Sequence, residues 1–392
     1  MLQACRVTTS ADVRPEDAGV RPDKLDELLA RARREVDEGL LPSCQLALAR
    51  EGRLVAFEAF GDTTTDTRYV IFSATKPFVA SAVWLLLAEE KLSLAQRVTD
   101  IVPEFGANGK EEVTLEQVML HTAGFPTPIF NPLHWDDRER RLAAFASWRL
   151  DYEPGTRYWY HATSAHWVLA EIIERVSGSD FRDFVRRRVA EPLGLPGFAL
   201  GGEEATAGLF AALELRGQPM TPDELESVLG VRELPVTEAA DENLVNLNDP
   251  RLRAAGIPGG GAVATAADLA LFYQALLHNP ARLWDPEVLG DATGRVRNNL
   301  PDPLMGVPAS RGLGVIICGA DGLGHMRGFG KTNSPRAFGH NGAAGQIAWA
   351  DPDTGLSFGY VTNGIDRHMI RQARRGVGLS SRAAVCAADA SS

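Results

Sequence analysis

Ser73-Ala74-Thr75-Lys76 is the stretch from which the rest of the chain is read. Five of the 392 residues are Lys and seventeen are Ser, so roughly 0.2 occurrences of Ser-x-x-Lys are expected by chance. The apolar run Val70-Ile71-Phe72 leads in, and residues 77–90 follow as an amphipathic helix. Residues three apart on a helix share a face, which stacks Lys76 one turn above Ser73. A serine hydroxyl is a poor nucleophile at neutral pH and needs a neighbouring base. A lysine amine becomes one when burial and nearby positive charge lower its pKa from about 10.4. Arginine stays protonated and is no substitute. A Ser at a helix start also puts its own backbone N–H where an oxyanion can be held. The competing structural reading is a plain N-cap. Pro77 has no N–H, which leaves the Ser73 carbonyl without its usual helical partner.

Composition narrows the classes. The chain is long enough for one large domain or two ordinary ones, with 45% hydrophobic residues. Its net charge of -11 argues against nucleic acid as a main partner, since phosphate binding calls for basic surface. The basic run Arg186-Arg187-Arg188 reads as the wet face of a helix. Cys5, Cys44, Cys318 and Cys386 form no C-x-x-C pair and no metal-ligand spacing, so buried free thiols in a reducing compartment are expected. No apolar stretch approaches 18 residues, so no membrane span is expected. Leu2-Gln-Ala-Cys5 has a lipoprotein-like look but no apolar region before it. The expected location is cytoplasmic.

Periodicity gives a coarse architecture. Residues 1–20 look irregular and residues 21–39 read as a helix. Residues 43–49 and 54–60 read as a β-hairpin around Glu51-Gly52. Helices are expected at 113–120, 138–150 and 159–176, the last ending at Gly178. Residues 200–255 are polar and without clear period. The Pro258-Gly259-Gly260-Gly261 turn runs into a helix to about residue 277. Residues 312–318, 346–350 and 356–362 read as strands, with the Asp351-Pro352 turn between the last two and a helix from Met369 to about Gly376. The last dozen residues are expected to fray. Strands near both ends and helices between them indicate an α/β (α+β) domain built from residues 1–95 and 256–392, with a mostly helical insert over 96–255.

Several other motifs are weak. Gly259-x-Gly261-x-x-Ala264 imitates a dinucleotide fingerprint but lacks a βαβ context. No G-x-S-x-G elbow and no H-E-x-x-H occur, and the eight His are scattered. Lys331-Thr332-Asn333 reads as a surface loop.

Three further stretches appear in order after Ser73: His121-Thr-Ala-Gly124, Tyr160-His161-Ala162 and Phe338-Gly339-His340-Asn341-Gly342. With the Pro258 turn, they make residues 20–370 resemble the serine β-lactamase-like proteins, in particular the class C β-lactamase and family VIII carboxylesterase group. The resemblance implies a β-lactamase/transpeptidase-like fold, with an antiparallel sheet built from both termini and flanked by helices. It implies Ser73 as nucleophile, Lys76 beside it, and Tyr160 as the tyrosine that shares or relays the proton. His340-x-Gly342 matches the box usually written Lys-Thr-Gly, and the backbone N–H groups of Ser73 and Ala343 would hold the oxyanion. Gly342 would let substrate lie near the edge strand. The His121 stretch would be a structural turn. Taken alone, Tyr160 also reads as an aromatic anchoring a helix start, and His340 as a structural histidine at a strand end.

Two departures bear on substrate. Ala162 stands where the β-lactamase pattern has Asn, and a methyl cannot bond a substrate amide. His340 stands where it has Lys, and a neutral imidazole loses most of the attraction for a carboxylate. Both favour the esterase branch. The expected function is therefore a serine carboxylesterase acting on small carboxylic esters through an acyl-Ser73 intermediate, with no metal or organic cofactor. An amide or β-lactam hydrolase, a D-amino-acid peptidase, an acyltransferase and a non-catalytic binding module stay open. Trp135, Trp159, Phe125 and Phe130 either wall an apolar acyl pocket or belong to the core, with core favoured for Trp159. The sequence is silent on oligomeric state.

Overall fold

Alternation of large and small side chains builds the sheet. In the strand Ser43–Arg50, Leu46 and Leu48 enter one hydrophobic cluster while Ala47 and Ala49 enter another on the opposite face. Ile347–Asp351 repeats the pattern, with Ile347 and Trp349 on the first face and Ala348 and Ala350 on the second. The structure, a computed structural model, describes residues 7–233 and 240–388.

Among the described residues, seven strands form one antiparallel sheet. In spatial order they are Val7–Ser10, Arg53–Gly61, Ser43–Arg50, Leu356–Thr362, Ile347–Asp351, Phe338–Gly339 and Ile316–Ile317. The joint between the two ends of the chain is central: Leu356 pairs with Arg50 and Thr362 with Cys44. The large-residue face is covered by the helices Pro22–Asp37 and Met369–Ala384, through Leu25, Leu28, Ala32, Leu379 and Ala383. The small-residue face receives the helix Ala266–His278 closely. A Cβ on Gly359 would stand 2.2 Å from the Ala266 carbonyl oxygen, so only glycine fits there.

Behind Ala266–His278 lies the helix Lys76–Ala88, and beyond it the helices Arg138–Ser147, Ser164–Ser177 and Phe181–Val185. An aromatic cluster organises that region: Trp135 stacks on Trp167 at 4.9 Å, and Phe130 meets Trp167 edge-on at 4.9 Å.

Several boundaries differ from expectation. Val7–Ser10 is a strand, although residues 1–20 lack pattern; it pairs with Phe57 to Phe60. The expected helix from 159 starts at Ser164, because residues 159–161 run extended and bond to the His121 turn. Residues 312–318 contribute only Ile316–Ile317 to the sheet, since Arg311 to Val315 fold into a tight turn. Residues 200–255 hold the helices Pro222–Leu229, Asp241–Leu244 and Pro250–Ala255. The C-terminal helix continues to Ala384, and Cys386 is buried with its carbonyl on the Arg21 N–H; of the dozen residues expected to fray, 389–392 lie outside the described residues. Cys44, Cys318 and Cys386 are buried, Cys318 and Cys386 as free thiols, while Cys5 lies outside the described residues. Among those residues no helix is long and apolar enough to cross a membrane.

Candidate active site

Backbone staples fix the turn that carries Ser73. The Ile71 N–H donates to the Ala262 carbonyl at 3.0 Å. Thr75 Oγ1 accepts the Ala262 N–H at 3.2 Å, and Tyr69–Val70 pairs with Val263–Ala264. The chain makes a 3-10 turn over Phe72–Thr75 before the α-helix begins at Lys76. The Lys76 N–H donates to the Ser73 carbonyl, so the i→i+3 bond supplies the partner that Pro77 lacks. Phe72 has φ 45°, His121 57°, Ser310 49° and Ala344 58°. Each of these left-handed residues adjoins or belongs to the site. Such conformations cost on the order of 1–3 kcal/mol each and persist where surrounding packing over-determines them.

Ser73 Oγ receives two hydrogen bonds. Lys76 Nζ donates to it at 3.1 Å and the Tyr160 hydroxyl at 2.9 Å. Lys76 is fully buried. Its other donors reach the Ala162 carbonyl at 2.8 Å and the Gly259 carbonyl at 2.6 Å. Three acceptors thus define where the amine stands. The glycine turn at 258–261, weak as a dinucleotide motif, here presents a carbonyl to the lysine. At residue 162 it is the backbone that matters to Lys76, and the methyl lines the cavity beside it.

Tyr160 is presented by an extended segment rather than by a helix start. The Trp159 N–H donates to the His121 carbonyl at 3.2 Å, and the His161 N–H to His121 Nδ1 at 3.2 Å. His161 Nδ1 lies 2.6 Å from the Trp159 carbonyl, so that nitrogen carries the proton, and Nε2 accepts the Phe125 N–H at 3.2 Å. Burial pushes His161 down to about 4. This histidine is therefore a neutral connector between the tyrosine segment and the His121–Phe125 loop. The ring of Tyr160 sits 4.8 Å from that of His121 and has Lys76 Nζ 4.9 Å from its centroid. Loss of water raises its pKa, while the charge of Arg311 and the bond to Ser73 pull it back.

His340 is buried and carries no substrate-facing charge. Its Nδ1 lies 2.8 Å from the Asn341 carbonyl, and its Nε2 lies 3.1 Å from an Arg311 guanidinium nitrogen. Nδ1 therefore bears the proton and Nε2 accepts from arginine. Burial, reinforced by the charges of Arg311 and Lys76, drives its pKa well below the ordinary value. Sequence reasoning missed Arg311, which has no motif of its own.

Gly342 has a packing role in the strand end. A Cβ there would lie 2.2 Å from the Ile71 carbonyl oxygen, so the end of this strand packs directly on the entry to the Ser73 turn. The Gly342 N–H bonds the Gln346 carbonyl at 3.1 Å. Ala343 opens the following 3-10 turn, Ala343–Gly345.

Ser73 and Ala343 line one cavity of about 410 Å³. Phe72, Ile129, Phe130, Trp167, Leu247 and Ile257 are among its walls, and among the described residues no charged side chain lines it. Of the four aromatics weighed from sequence, Phe130 lines the cavity, Phe125 and Trp135 are core, and Trp159 is solvent-exposed, against the expectation of core. Residues 243–257, unplaced from sequence, close one side. No group of His, Cys, Asp or Glu able to hold a metal is present among the described residues.

Comparison with known proteins identifies the family and the fold. The Beta-lactamase family model matches residues 28–380, and the chain belongs to that family. It is 30% identical over 320 residues to Esterase/beta-lactamase LipL of Mycobacterium tuberculosis, covering 76% of this chain and 70% of that protein. It is 28% identical over 308 residues to Esterase EstB of Burkholderia gladioli, covering 71% and 75%. A penicillin-binding protein homologue from Caulobacter crescentus superposes with a TM-score of 0.72 at 26% identity, over 93% of this chain and 99% of that one. The fold is thus β-lactamase/transpeptidase-like and the protein is a serine hydrolase.

Proposed function

We propose that the protein is a carboxylesterase that hydrolyses small uncharged esters through an acyl-Ser73 intermediate. One observation carries the reading: the Ser73 hydroxyl, bonded by Lys76 and Tyr160, opens into a largely apolar cavity that no charged side chain lines among the described residues. As Ser73 Oγ attacks the ester carbonyl carbon, its proton passes to the Lys76–Tyr160 pair. The backbone N–H groups of Ser73 and Ala343 stabilise the oxyanion. The carbon–alkoxy bond breaks, and the alcohol leaves with a proton returned through Tyr160. Water then attacks the acyl-enzyme, activated by the same pair, and releases the carboxylic acid and free Ser73. Lys76 and Tyr160 share one hydroxyl, so the pH profile reports the pair.

The esterase names of LipL and EstB support this choice of substrate. The methyl of Ala162 and the neutral His340 remove the amide and the charge that those two positions would offer a substrate amide and carboxylate, which counts against penicillins and D-amino-acid peptides. The chain division fits the same reading: residues 1–95 and 256–392 supply Phe72, Ser73, Gly259 and Ala343, and residues 96–255 supply the apolar wall from Ile129 to Leu252. The buried free thiols Cys318 and Cys386 fit a reducing cytoplasm.

The test is intact-protein mass spectrometry after brief exposure to a short-chain p-nitrophenyl ester, beside a fluorophosphonate and the Ser73→Ala variant. A mass increase confined to wild type, mapped to Ser73, with nitrophenol released in turnover, is the expected outcome. An unlabelled Ser73 would sink the proposal. Rates on an ester, an amide and a cephalosporin sharing one acyl group separate ester from amide chemistry, and added alcohol reveals acyl transfer.

A further inference from the structure

Arg311 is a buried cation that meets no carboxylate among the described residues. Its guanidinium reaches His340 Nε2 at 3.1 Å and the Tyr158 hydroxyl at 2.7 Å, both uncharged partners, and its Nε has no partner. Among the described residues it forms no ion pair. Burying an uncompensated charge costs several kcal/mol, so a protein that keeps one has either a compensating interaction or a use for it. The positive charge sits 5.3 Å from the centre of the Tyr160 ring and 5.5 Å from that of Tyr158.

The placement is firm. Arg311 bonds Asn298 through both backbone groups, with Arg311 N–H to the Asn298 carbonyl at 2.9 Å and the return bond at 3.2 Å. Asn298, itself buried, donates from Nδ2 to the Leu120 carbonyl at 3.0 Å, just before His121. Gly312 and Gly314 tuck the following turn against neighbours: Cβ atoms there would stand 2.3 Å from the Ala292 carbonyl oxygen and 2.2 Å from Ala80 Cβ. Ala80 lies on the helix that carries Lys76. The arginine is therefore locked to both the tyrosine side and the lysine side of the site.

We propose that Arg311 is a positioning residue that supplies, through space, the fixed positive charge that lets the Lys76–Tyr160 pair give up a proton and activate Ser73. The inference rests on the esterase reading above. The Ser73 proton goes to the deprotonated pair as Oγ bonds the ester carbon, and returns to the departing alkoxide. His340 cannot supply this charge, being neutral with its Nδ1 proton on a carbonyl. The groups around Tyr160 are Lys76 from its helix, His121 from the turn behind with His166 beyond it against His121, His161 and Tyr158 on its own segment, and Arg311 and His340 from the sheet side. Burial holds His121, His161, His166 and His340 below their ordinary range. Burial pushes Tyr158 up to about 12. Lys76 and Arg311 are then the cations that favour a phenolate at Tyr160.

The experiment is the pH profile of kcat/KM on a neutral p-nitrophenyl ester for wild type, Arg311→Met, Arg311→Gln and Arg311→Lys, with thermal melts and Ser73 labelling alongside. Removing the charge in Arg311→Met or Arg311→Gln should lower kcat/KM at pH 7 at least tenfold and move the acidic limb up by one pH unit or more, so that the rates converge with wild type in alkali. Arg311→Gln retains donors for His340 and Tyr158. Arg311→Lys retains the charge and should keep the limb where it is. A folded charge-free variant whose rate falls equally at every pH, or not at all, would overturn the proposal, as would a displaced limb in Arg311→Lys. A wild type not acylated at Ser73 would instead remove the esterase reading on which it rests.

Discussion

The chemistry is decided by the donors converging on one oxygen. Two of the three Lys76 bonds go to carbonyls, of Ala162 and Gly259, that never titrate. They aim the third at Ser73. Truncation to Ala would remove the aim along with the amine, and Ser73→Ala would remove the target. Groups acting on one proton fail as a unit, so Ser73→Ala and Lys76→Ala should each lower kcat by about 10³ or more, and the double variant should be no worse than either alone. Steady-state ester hydrolysis on the three proteins checks this; a Lys76→Ala enzyme near wild-type rate would remove lysine from the mechanism. Ser73 and Lys76 are readable from sequence because their contact is local, three residues along one turn. Tyr160 is readable through the ordered companions. Arg311 is not, because its proximity to Tyr160 is created by the bridge to Asn298 and leaves no spacing to find.

Elements meet at this site through glycines. The strand end at Gly342 lies on the Ile71 carbonyl, so the Ser73 turn and the Ala343 turn share one contact. In Gly342→Ala the added carbon meets backbone, which cannot swing away, and overpacking of this kind costs roughly 1–3 kcal/mol. The two N–H groups assigned to the oxyanion would also be levered apart. Gly342→Ala should thus lower both Tm and kcat, the latter at least tenfold. Gly290→Ala is the control: it lies in the helix Pro286–Gly294 with nothing within 4 Å of a Cβ, so melting should be unchanged or raised, since alanine is favoured over glycine in a helix by about 0.5–1 kcal/mol. Equal losses of Tm and activity in both variants would refute the role given to this contact. The element reading from sequence failed where bonding to another segment overrides periodicity. Trp159 and Tyr160 extend the stripe of the helix Ser164–Ser177, yet bonds to His121 hold them extended and leave Trp159 in solvent. Residues 243–257 wall the cavity with short helices too brief to show a period.

At the scale of the molecule, the two chain ends are one structure, and that much is legible: strands at both ends with helices between them imply a shared sheet. What clasps the ends is not legible, because it is a set of charges distant in sequence. Arg375 on the C-terminal helix is 1% exposed and bonds Glu35 of the first helix and Asp366 of the Gly364–Asp366 strand, both at 2.7 Å. Burial opposes ionisation of both acids, but the Arg375 bonds, with Arg31 beside Glu35 and Arg371 beside Asp366, hold them below the usual carboxylate range. Removing one partner of a buried pair leaves charge uncompensated and costs about 3–5 kcal/mol. Arg375→Met should therefore lower Tm strongly at pH 7 with the active-site contacts intact. A carboxylate whose folded pKa is depressed stabilises fully above its unfolded value, about 3.9 for Asp and 4.3 for Glu, and loses that contribution as pH falls through the folded value. The gap in Tm between wild type and Arg375→Met should accordingly be widest from pH 6 to 7 and should narrow below about pH 4, where wild type loses the bridge and the variant gains by neutralising its orphaned acids. Melting curves of the two proteins across pH 3–7 test this, and a gap that stayed constant across that range would show that Arg375 acts by packing alone.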